Sequence, residues 1–296
     1  MANKSRLSIA KPKIEAFFEN SGQRVFTPNY LETIVANMGA EWRLALSTSV
    51  KSFTEFLIEK SKLKKIDLKF PTQTSTRYLW GEETQDIVFE LALSLKPRSY
   101  LSHYTALFFH NLTEQIPKNI YVTFEQPDRK RGTELSQKAI DEAFKKKVRE
   151  TSNITIYKDY TITILNGQFT GNTGVLKQFG EDRREYLPVT NLERTLIDIA
   201  VRPIYSGGVL EVAKAYKNAS TKVQINKLNA YLKQIDFIYP YFQAIGFYLE
   251  LAEVPEKRLG YIENSWDKKF DFYLTHDIQE KSYSKRWNLY YPSYLI

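Results

Sequence analysis

The stretch SVKSFTEFLIEKSKLKKIDLKFPTQTSTRYLWG, residues 49–81, contains two different hydrophobic periodicities. Its first part has the apolar spacing of an amphipathic helix from Ser49 to Glu59. Ser52 and Glu55 in that helix have the spacing of a capping box. From residue 64 to 70 apolar residues alternate, PTQTST is typical of a turn, and RYLWG has the composition of a returning strand. The stretch therefore predicts a helix followed by a β-hairpin. The helix residues expected to face inward are Val50, Phe53, Phe56 and Leu57.

Two further helices are predicted before this stretch. KPKIEAFFEN places Pro12 in a first helical turn, where its missing N–H is tolerated. In FTPNYLETIVANMG, Thr27 can cap the helix, Pro28 suits its first position and Gly39 can end it. Three short helices followed by a hairpin predict a winged helix-turn-helix domain over residues 1–81.

A winged helix-turn-helix places its third helix in the major groove of DNA and the turn of its hairpin near the backbone. Small polar residues on the exposed side of this helix can contact base edges, and lysines are suited to phosphates. The alternative to DNA binding is that residues 1–81 form a small basic bundle that binds another protein. The predicted DNA-binding residues are Lys51, Ser52, Thr54, Glu55, Lys60, Lys62, Lys64 and Lys65.

The distribution of charge favours a nucleic-acid partner for the N-terminal segment. The chain has a formal net charge of +8. Residues 1–70 contain 12 Lys and Arg against 7 Asp and Glu, so they carry more than half of this excess. A second basic cluster spans Asp128–Arg149, with 8 basic and 4 acidic residues. Lysines spread along a helix usually face water, so this second cluster predicts a solvated helix face.

Length and composition limit the class of protein. A chain of 296 residues predicts about two domains, and 43% hydrophobic residues can form sizeable cores. We place the second domain, a larger mixed α+β domain, at residues 82–296. The chain has no cysteine, no apolar run of 18 residues and no signal-peptide pattern at its start. These features predict a cytoplasmic protein without a membrane partner.

The sequence of residues 82–296 also predicts individual helices and strands. A helix is expected over 84–95 with a break at Pro97, and NIYVTF alternates as a strand. NITIYKDYTITILNGQFTG gives the strongest strand signal, with Asn166-Gly167 as the expected hairpin turn. VTNLERTLIDIAVRP predicts an amphipathic helix that buries Leu192, Leu196 and Ile199. Three helices are expected near 209–219, 225–235 and 241–252, and FDFYLTH and WNLYYP resemble late strands.

Two of the three histidines lie in LSHYTALFFHNL, residues 101–112. Seven residues of helix separate His103 from His110 by roughly 10 Å, too far for both to bind one metal ion. Ser102 and His103 are adjacent, and adjacent residues of a helix point about 100° apart. We therefore expect a structural helix here, with neither a metal site nor a Ser-His catalytic pair. Glu193 and Arg194 in LERTLID are expected to form structural ion pairs or interface contacts.

The sequence lacks the common patterns of catalytic and cofactor sites. It has no G-x-S-x-G, no phosphate-binding P-loop and no G-x-G-x-x-G, so we predict a protein that is not an enzyme and needs no cofactor. The main alternative is a metal-dependent nuclease, whose acid-x-Lys pattern is met by Asp67 with Lys69 and by Asp128 with Lys130. A regulator that senses a small ligand is a further possibility, although no convergent polar set identifies a pocket.

The order of these elements resembles a known family. A winged helix-turn-helix, then SHYTALFFHNLTEQIPKNIYVT, then VTNLERTLIDIAVRPIYSGG is similar to the AbiEi antitoxins over roughly residues 11–275. Members of this family accompany AbiEii toxins, which are nucleotidyltransferase-like proteins of bacterial phage-defence operons. The aromatic-rich segment from about Tyr261 to Ile296 has no role that the resemblance assigns; a packed lid or a partner surface would both fit.

The resemblance implies an antitoxin that is also a transcriptional autorepressor. Its N-terminal domain would bind double-stranded promoter DNA, and its C-terminal domain would neutralise the nucleotidyltransferase-like toxin. No catalytic residue is implied. The residues we predict to contact the partner are the exposed cations Arg129, Lys130, Lys145 and Arg149.

Overall fold

The computed structural model of the protein describes residues 5–84, 86–128, 135–176 and 187–296. Over these ranges the chain is a mixed α+β structure with eleven α-helices and three β-sheets. It divides into two compact units, Met1–Pro97 with Asn153–Thr161, and Arg98–Ser152 with Ile162–Ile296. The first unit thus extends past residue 81, where we predict that the DNA-binding domain ends.

The first unit contains three helices and a small antiparallel sheet, followed by a fourth helix. The sheet has the strand order β1-β3-β2, and the hairpin of β2 and β3 pairs Leu63 with Trp80 at its base and Lys69 with Thr74 beside its turn. The elements are α1 (Arg6–Asn20), β1 (Val25–Phe26), α2 (Pro28–Met38), α3 (Val50–Lys60), β2 (Leu63–Lys69), β3 (Thr74–Trp80) and α4 (Ile87–Leu93).

Helix capping explains where these helices begin. The predicted start of α2 is confirmed, since the Thr27 side chain accepts a hydrogen bond from Tyr30 N and Pro28 is the first helical residue. The capping box predicted at Ser52 is wrong, because Ser49 is the cap and accepts from Ser52 N at 3.1 Å. The predicted start of this helix at Ser49 is nevertheless confirmed, and Ser52 lies inside its first turn.

Helix α1 also begins earlier than predicted. Ser5 caps it, and Pro12 lies inside the helix and not in its first turn. An internal proline removes one backbone hydrogen bond. The helix continues through it because Ala10, Ile14 and Phe18 form one buried face on both sides of the proline.

Aromatic rings hold the first unit together. Phe18 of α1 stacks on Trp80 of β3 with ring centroids 4.7 Å apart, and Phe53 of α3 stacks on Trp42 at 6.0 Å. All four side chains are buried. Because these rings come from α1, α3 and β3 and from the segment between α2 and α3, the orientation of α3 within the unit is fixed by packing.

A six-stranded sheet and a group of helices follow α4 along the chain. The strand order of this sheet is β6-β7-β5-β4-β9-β8, and β6 spans Ile154–Tyr157. The other elements up to the end of α7 are β4 (Tyr100–Leu101), α5 (His103–Phe109), β5 (Asn119–Glu125), α6 (Gln137–Phe144), β7 (Tyr160–Gly167), β8 (Val175–Leu176), β9 (Val189–Thr190) and α7 (Leu192–Val201).

The C-terminal part of the second unit follows the predicted order closely. The three helices expected after residue 208 are confirmed, and the late aromatic strands form a three-stranded sheet of order β10-β12-β11. These elements are α8 (Val209–Ala219), α9 (Ile225–Ile235), α10 (Tyr241–Leu251), α11 (Glu256–Glu263), β10 (Phe272–Tyr273), β11 (Lys281–Ser284) and β12 (Leu289–Pro292).

One predicted turn is wrong. The chain turns between β6 and β7 at residues 158–159, where Lys158 has a φ of 52°, and Asn166-Gly167 lies at the end of β7. A Cβ atom on Gly167 would lie 2.7 Å from Thr123 Cγ2. The glycine therefore allows close packing of the strand and is not used for a turn.

Helix α7 and the aromatic C-terminal segment are both part of the core. Leu196 and Ile199 are fully buried, as predicted, while Leu192 is only partly buried. Trp287 and Phe272 from the C-terminal segment are also fully buried and belong to the same cluster of core residues. Much of this segment is thus packed into its own unit. In the described ranges no helix has the length and apolar character that crossing a membrane requires.

Candidate functional site

The outer face of α3 carries three of the predicted DNA-binding residues. Lys51 and Glu55 lie one helical turn apart, with Lys51 Nζ 4.0 Å from Glu55 Oε1 and side chains that are 84% and 64% exposed. Ser52 is exposed between them, and its Oγ donates to Ser49 O at 2.9 Å. The structure therefore brings a cation, a hydroxyl and a carboxylate together at the start of α3.

Thr54 does not belong to this face, so its prediction as an exposed base-contacting residue is wrong. Its residue exposure is 4%, and its Oγ1 donates to Lys51 O at 3.0 Å. The reason is helical geometry, since Thr54 lies between the core residue Phe53 and the core residue Leu57, three positions further on.

The four remaining predicted lysines are exposed, and each lies beside a carboxylate of the first unit. The pairs are Lys60 with Glu59 at 2.6 Å, Lys62 with Glu19 at 2.6 Å, Lys64 with Glu83 at 3.3 Å and Lys65 with Asp67 at 2.9 Å. Exposed ion pairs of this kind are weak because water and salt screen them, so a phosphate can replace the carboxylate at little cost. The hydrogen bond to Glu19 raises the pKa of Lys62, which keeps that side chain charged.

These four lysines are separated from the turn of the hairpin. They lie at the end of α3 and at the base of β2, whereas the turn follows Lys69. At about 3.3 Å per residue, Leu63 and Lys69 are roughly 20 Å apart along the strand. The lysines therefore form a group distinct from the turn.

Sequence reasoning missed Lys69 as a candidate for contacting DNA. It is exposed, stands next to the turn that is closed by the hydrogen bond from Phe70 N to Gln73 O, and has no ion pair with another described residue. The signal was its position near the end of the predicted strand 64–70, two residues before Pro71 and the expected turn.

The predicted partner-binding residues are only partly described. Lys145 follows α6 and is exposed, as is Arg149. Arg129 and Lys130 lie outside the described residues. The two described cations belong to the segment after α6, which also exposes Lys146 and Lys147.

The acid-x-Lys patterns of the nuclease alternative are not assembled into a site in the described residues. Asp67 contacts Lys65 at 2.9 Å and accepts from Thr76 Oγ1 at 2.6 Å, and the Thr76 hydrogen bond lowers its pKa. Asp128 is exposed, and its partner Lys130 lies outside the described residues. Within the described ranges no three His, Asp or Glu side chains form a group that could hold a metal ion.

Ser102 and His103 do contact one another, contrary to the prediction. Ser102 Oγ lies 2.9 Å from His103 Nδ1 and 2.7 Å from Thr123 Oγ1. The helical argument fails because Ser102 is extended, with φ −148° and ψ 179°, and His103 has a φ of 51°. Ser102 is fully buried, so the pair is an internal hydrogen-bonded contact.

Arg194 of α7 is the centre of a buried polar network in the second unit. Its side chain is 5% exposed, and Nε donates to Asp198 Oδ1 at 2.8 Å, which confirms the predicted structural ion pair. Nη1 donates to Thr173 O and Thr170 Oγ1, and Nη2 donates to Tyr100 OH. Each nitrogen of the guanidinium thus has a partner, which fixes the orientation of the side chain.

Glu125 and Glu193 extend the buried polar groups around α7. Glu125, at the end of β5, accepts from Thr170 N at 2.8 Å and from Tyr100 OH at 3.3 Å. Glu193 accepts from Gln224 N and lies 2.9 Å from Lys227 Nζ. These contacts connect α7 with the sheet and with α9.

A pocket of about 230 Å³ lies beside this network, entirely within the second unit. One side of it is formed by α7, another by the end of β7, and a third by the segment between α9 and α10. Polar side chains converge on this pocket, although the sequence alone identified no such set. They include His103, Arg194, Asp198, Arg202, Tyr239 and Tyr241.

These features define an α+β protein with two units, one exposing a polar and cationic helix face and the other enclosing a polar pocket. No protein-family model matches the chain, and no curated protein matches it. Among solved structures, the crystal structure of the RV2827C protein from Mycobacterium tuberculosis is similar, with a TM-score of 0.60 and 12% sequence identity. The similarity covers 97% of this chain and 93% of that chain. At this identity it shows a shared fold alone.

Proposed function

We propose that the protein is a DNA-binding transcriptional autorepressor and antitoxin, and that its first unit contains a winged helix-turn-helix. The order α1-β1-α2-α3-β2-β3, with the sheet order β1-β3-β2, supports this proposal. In such a domain α3 enters the major groove, which is wide enough for a helix, and the hairpin turn lies near the backbone.

The observation that carries the DNA-binding proposal is the two-sided character of α3. Phe53 and Leu57 anchor one face of the helix in the core, and the other face presents Lys51, Ser52 and Glu55 to solvent. The anchored face supplies the rigidity that a groove-binding helix needs, and the exposed face supplies hydrogen-bonding groups for base edges.

The surrounding cations have a different role in this proposal. Lys69 would contact the backbone beside the hairpin turn, and the lysines at the end of α3 and the base of β2 would contact flanking phosphates. All of these lysines are exposed. Binding would replace the weak surface ion pairs of Lys60, Lys62, Lys64 and Lys65 with phosphate contacts.

The antitoxin part of the proposal rests on the resemblance to the AbiEi family. The second unit would then dock a nucleotidyltransferase-like toxin in the cytoplasm, and the exposed cations Lys145 and Arg149 are the described candidates for that contact. Their exposure after α6 is compatible with docking on an acidic surface.

DNA binding is tested with the full chain and the duplex that lies upstream of its gene, by fluorescence anisotropy. Lys51→Glu should weaken binding by tenfold or more, since a contact to phosphate or base becomes a repulsion. Lys222→Glu makes the same charge change on an exposed residue of the second unit and should have little effect. Equal losses in both variants, or no loss in either, would reject the assigned face.

The antitoxin role is tested by expressing the neighbouring open reading frame alone and together with this chain. Growth arrest that is relieved by the intact chain is the expected result. The double variant Lys145→Glu with Arg149→Glu should relieve it less well if these cations contact the toxin. A neighbouring product that is not toxic, or toxicity that this chain does not relieve, would remove the antitoxin role and leave the DNA-binding proposal standing.

A further inference from the structure

The pocket in the second unit contains a buried side chain with unused hydrogen-bonding capacity. His103 is 6% exposed and lines the pocket. Its Nδ1 is engaged by Ser102 Oγ, while its Nε2 has no hydrogen-bond partner among the described residues. Because His103 lines the pocket, a ligand there can supply the hydrogen bond that the protein does not.

The charge of the pocket comes from Arg202. Arg194 and Asp198 neutralise each other at 2.8 Å, and His103 is neutral at physiological pH because burial lowers its pKa to about 3. Arg202 is exposed and has no ion pair with another described residue. Burial raises the pKa of Tyr241, and the positive charge of Arg202 opposes that rise. Burial is also the main cause of the lowered pKa of His103, to which Arg202 adds. Glu125 also lies near Arg194, through Tyr100 and Thr170, so the positive charge that favours an anion is local to Arg202.

The shape and lining of the pocket favour a flat apolar body. Tyr239 and Tyr241 line the pocket with ring centroids 6.1 Å apart, nearly perpendicular to each other, and Phe237, Leu165 and Val201 add apolar surface. The volume of about 230 Å³ is below the usual range for drug-sized ligands. One or two fused rings with a single acidic group would fill it.

Hydrogen bonds hold some of the side chains that line the pocket in one arrangement. Arg194 is fixed by the hydrogen bonds that join it to α7, to the loop after β7 and to β4, and Gln168 Nε2 donates to Ile235 O at 2.9 Å. A site of this kind is largely formed before a ligand arrives, which reduces the entropy lost on binding.

We propose that this pocket binds a small planar aromatic anion, whose carboxylate or phosphate pairs with Arg202 at the mouth and whose ring packs against Tyr239 and Tyr241 and reaches His103 Nε2. The proposed function does not require such a ligand, so a result that disproves one proposal leaves the other unaffected.

The chain has only three histidines, so its imidazole resonances provide a direct assay. The full-length protein, labelled with ¹⁵N and ¹³C in histidine, is titrated with indole-3-acetate as an aryl carboxylate and with adenosine monophosphate as a purine phosphate. Assignments come from His110→Gln and His276→Gln. Saturable shifts of the His103 ring resonances, with those of His110 unchanged, are the expected result for whichever probe carries the right anion.

Two variants at one exposed position test the charge requirement. Ile238 is 51% exposed and lines the pocket. Ile238→Glu places a negative charge at the mouth and should weaken binding of the anionic probe about tenfold relative to Ile238→Gln, which has nearly the same shape. Arg202→Gln should weaken binding to a similar or greater extent. The neutral analogues indole and adenosine should bind less well than the corresponding anions.

The proposal is overturned if neither probe shifts the His103 resonances at concentrations of roughly 1 mM, which already correspond to weak binding. It is also overturned if Ile238→Glu and Ile238→Gln bind the probe equally, or if the neutral analogues bind as tightly as the anions. Preference for indole-3-acetate or for adenosine monophosphate supports the proposal and shows which of the two combinations of ring and acidic group the pocket accepts.

Discussion

Gly246 of α10 lies directly against the indole ring of Trp287: a Cβ atom on Gly246 would be 2.1 Å from Trp287 Cζ3 and 2.3 Å from its Cη2. Trp287 is fully buried, and its Nε1 donates to Glu250 Oε2 of the same helix at 2.7 Å. The ring is thus held against α10 from one side by packing and from its polar edge by a hydrogen bond. This contact ties the aromatic C-terminal segment to the helices of the second unit.

Gly246→Ala should destabilise the protein. The added methyl cannot be accommodated unless the indole or the helix moves, and overpacking of this kind costs about 1–3 kcal/mol or more. The intrinsic preference of a helix for alanine, about 1 kcal/mol, offsets only part of that cost. Urea unfolding followed by tryptophan fluorescence should show a net loss of up to about 2 kcal/mol in the free energy of unfolding.

Gly260→Ala is the matched control, because Gly260 also lies inside a helix, α11. The nearest atom to its Cβ would be Asn264 Nδ2 at 4.0 Å, so the methyl has room. The same measurement should show a gain of roughly 0.5–1 kcal/mol. A loss of stability in both variants would mean that the close approach to Trp287 is not the cause.

Asp198→Asn should be strongly destabilising, since it leaves the buried guanidinium of Arg194 without its counter-charge. Removing one member of a buried ion pair costs about 3–5 kcal/mol, and the retained amide oxygen makes the lower value the expected one. Glu211→Gln, which removes the partner of the exposed Lys214, should change the free energy of unfolding by less than about 0.5 kcal/mol. Comparable effects of the two substitutions in urea unfolding would contradict a central role for the Arg194 network.

The stability of the protein should depend on pH through His103. Burial lowers the pKa of His103 to about 3, against about 6.5 for an unfolded chain. Between these two values the unfolded state binds a proton that the folded state does not, so the free energy of unfolding decreases as the pH is lowered. At about pH 5 this contribution is a loss of roughly 2 kcal/mol relative to about pH 7.5.

His103→Asn isolates this contribution, because asparagine adopts positive φ more easily than most residues and keeps a polar group near Ser102. The variant should lose less stability than the native chain between the two pH values in urea unfolding. His110 and His276, whose pKa values are also lowered by burial, are present in both proteins and affect both measurements alike. The same loss of stability in both proteins would exclude His103 as its source.

The elements that could be predicted from sequence are those with strong local signals. Helix α2 has both a cap at Thr27 and a proline at its first position, and α8 and α9 have amphipathic spacing with one buried face. The predictions that are wrong concern positions where tertiary packing, and not the local sequence, determines the structure. Pro12 lies within α1 because the buried face continues across it, and Gly167 serves close packing against Thr123 and not the turn of a hairpin.

The two candidate sites, the face of α3 and the pocket of the second unit, also differ in how far the sequence predicts them. The exposed face of α3 could be predicted because one helix supplies all its residues, although Thr54 was placed on the wrong side. The pocket could not be predicted, since it joins His103, Asp198 and Tyr241 from distant parts of the chain. The contact between Ser102 and His103 depends on a positive φ, which no local pattern indicated.

Thr54→Val should leave DNA binding unchanged, because the side chain is buried and its hydroxyl is bonded to the backbone of its own helix. Loss of that hydrogen bond should cost no more than about 1 kcal/mol in urea unfolding. Anisotropy titrations with the upstream duplex and with a scrambled duplex should give the same affinities as the native chain. A selective loss for the upstream duplex would show that Thr54 contributes to recognition despite its burial.

Ser52→Ala and Lys62→Ala should affect DNA binding in different ways, because one residue lies on the outer face of α3 and the other at the base of the hairpin. A base contact carries sequence information, so Ser52→Ala should weaken binding to the upstream duplex by about 1 kcal/mol and leave binding to a scrambled duplex unchanged. A phosphate contact carries none, so Lys62→Ala should weaken binding to both duplexes equally. It should also reduce the slope of log affinity against log salt concentration by about one, since one fewer cation displaces counterions. If Lys62→Ala changes neither the affinity nor the slope, Glu19 remains the partner of Lys62 in the complex, and the phosphate contacts are made only near the start of α3 and at the hairpin turn.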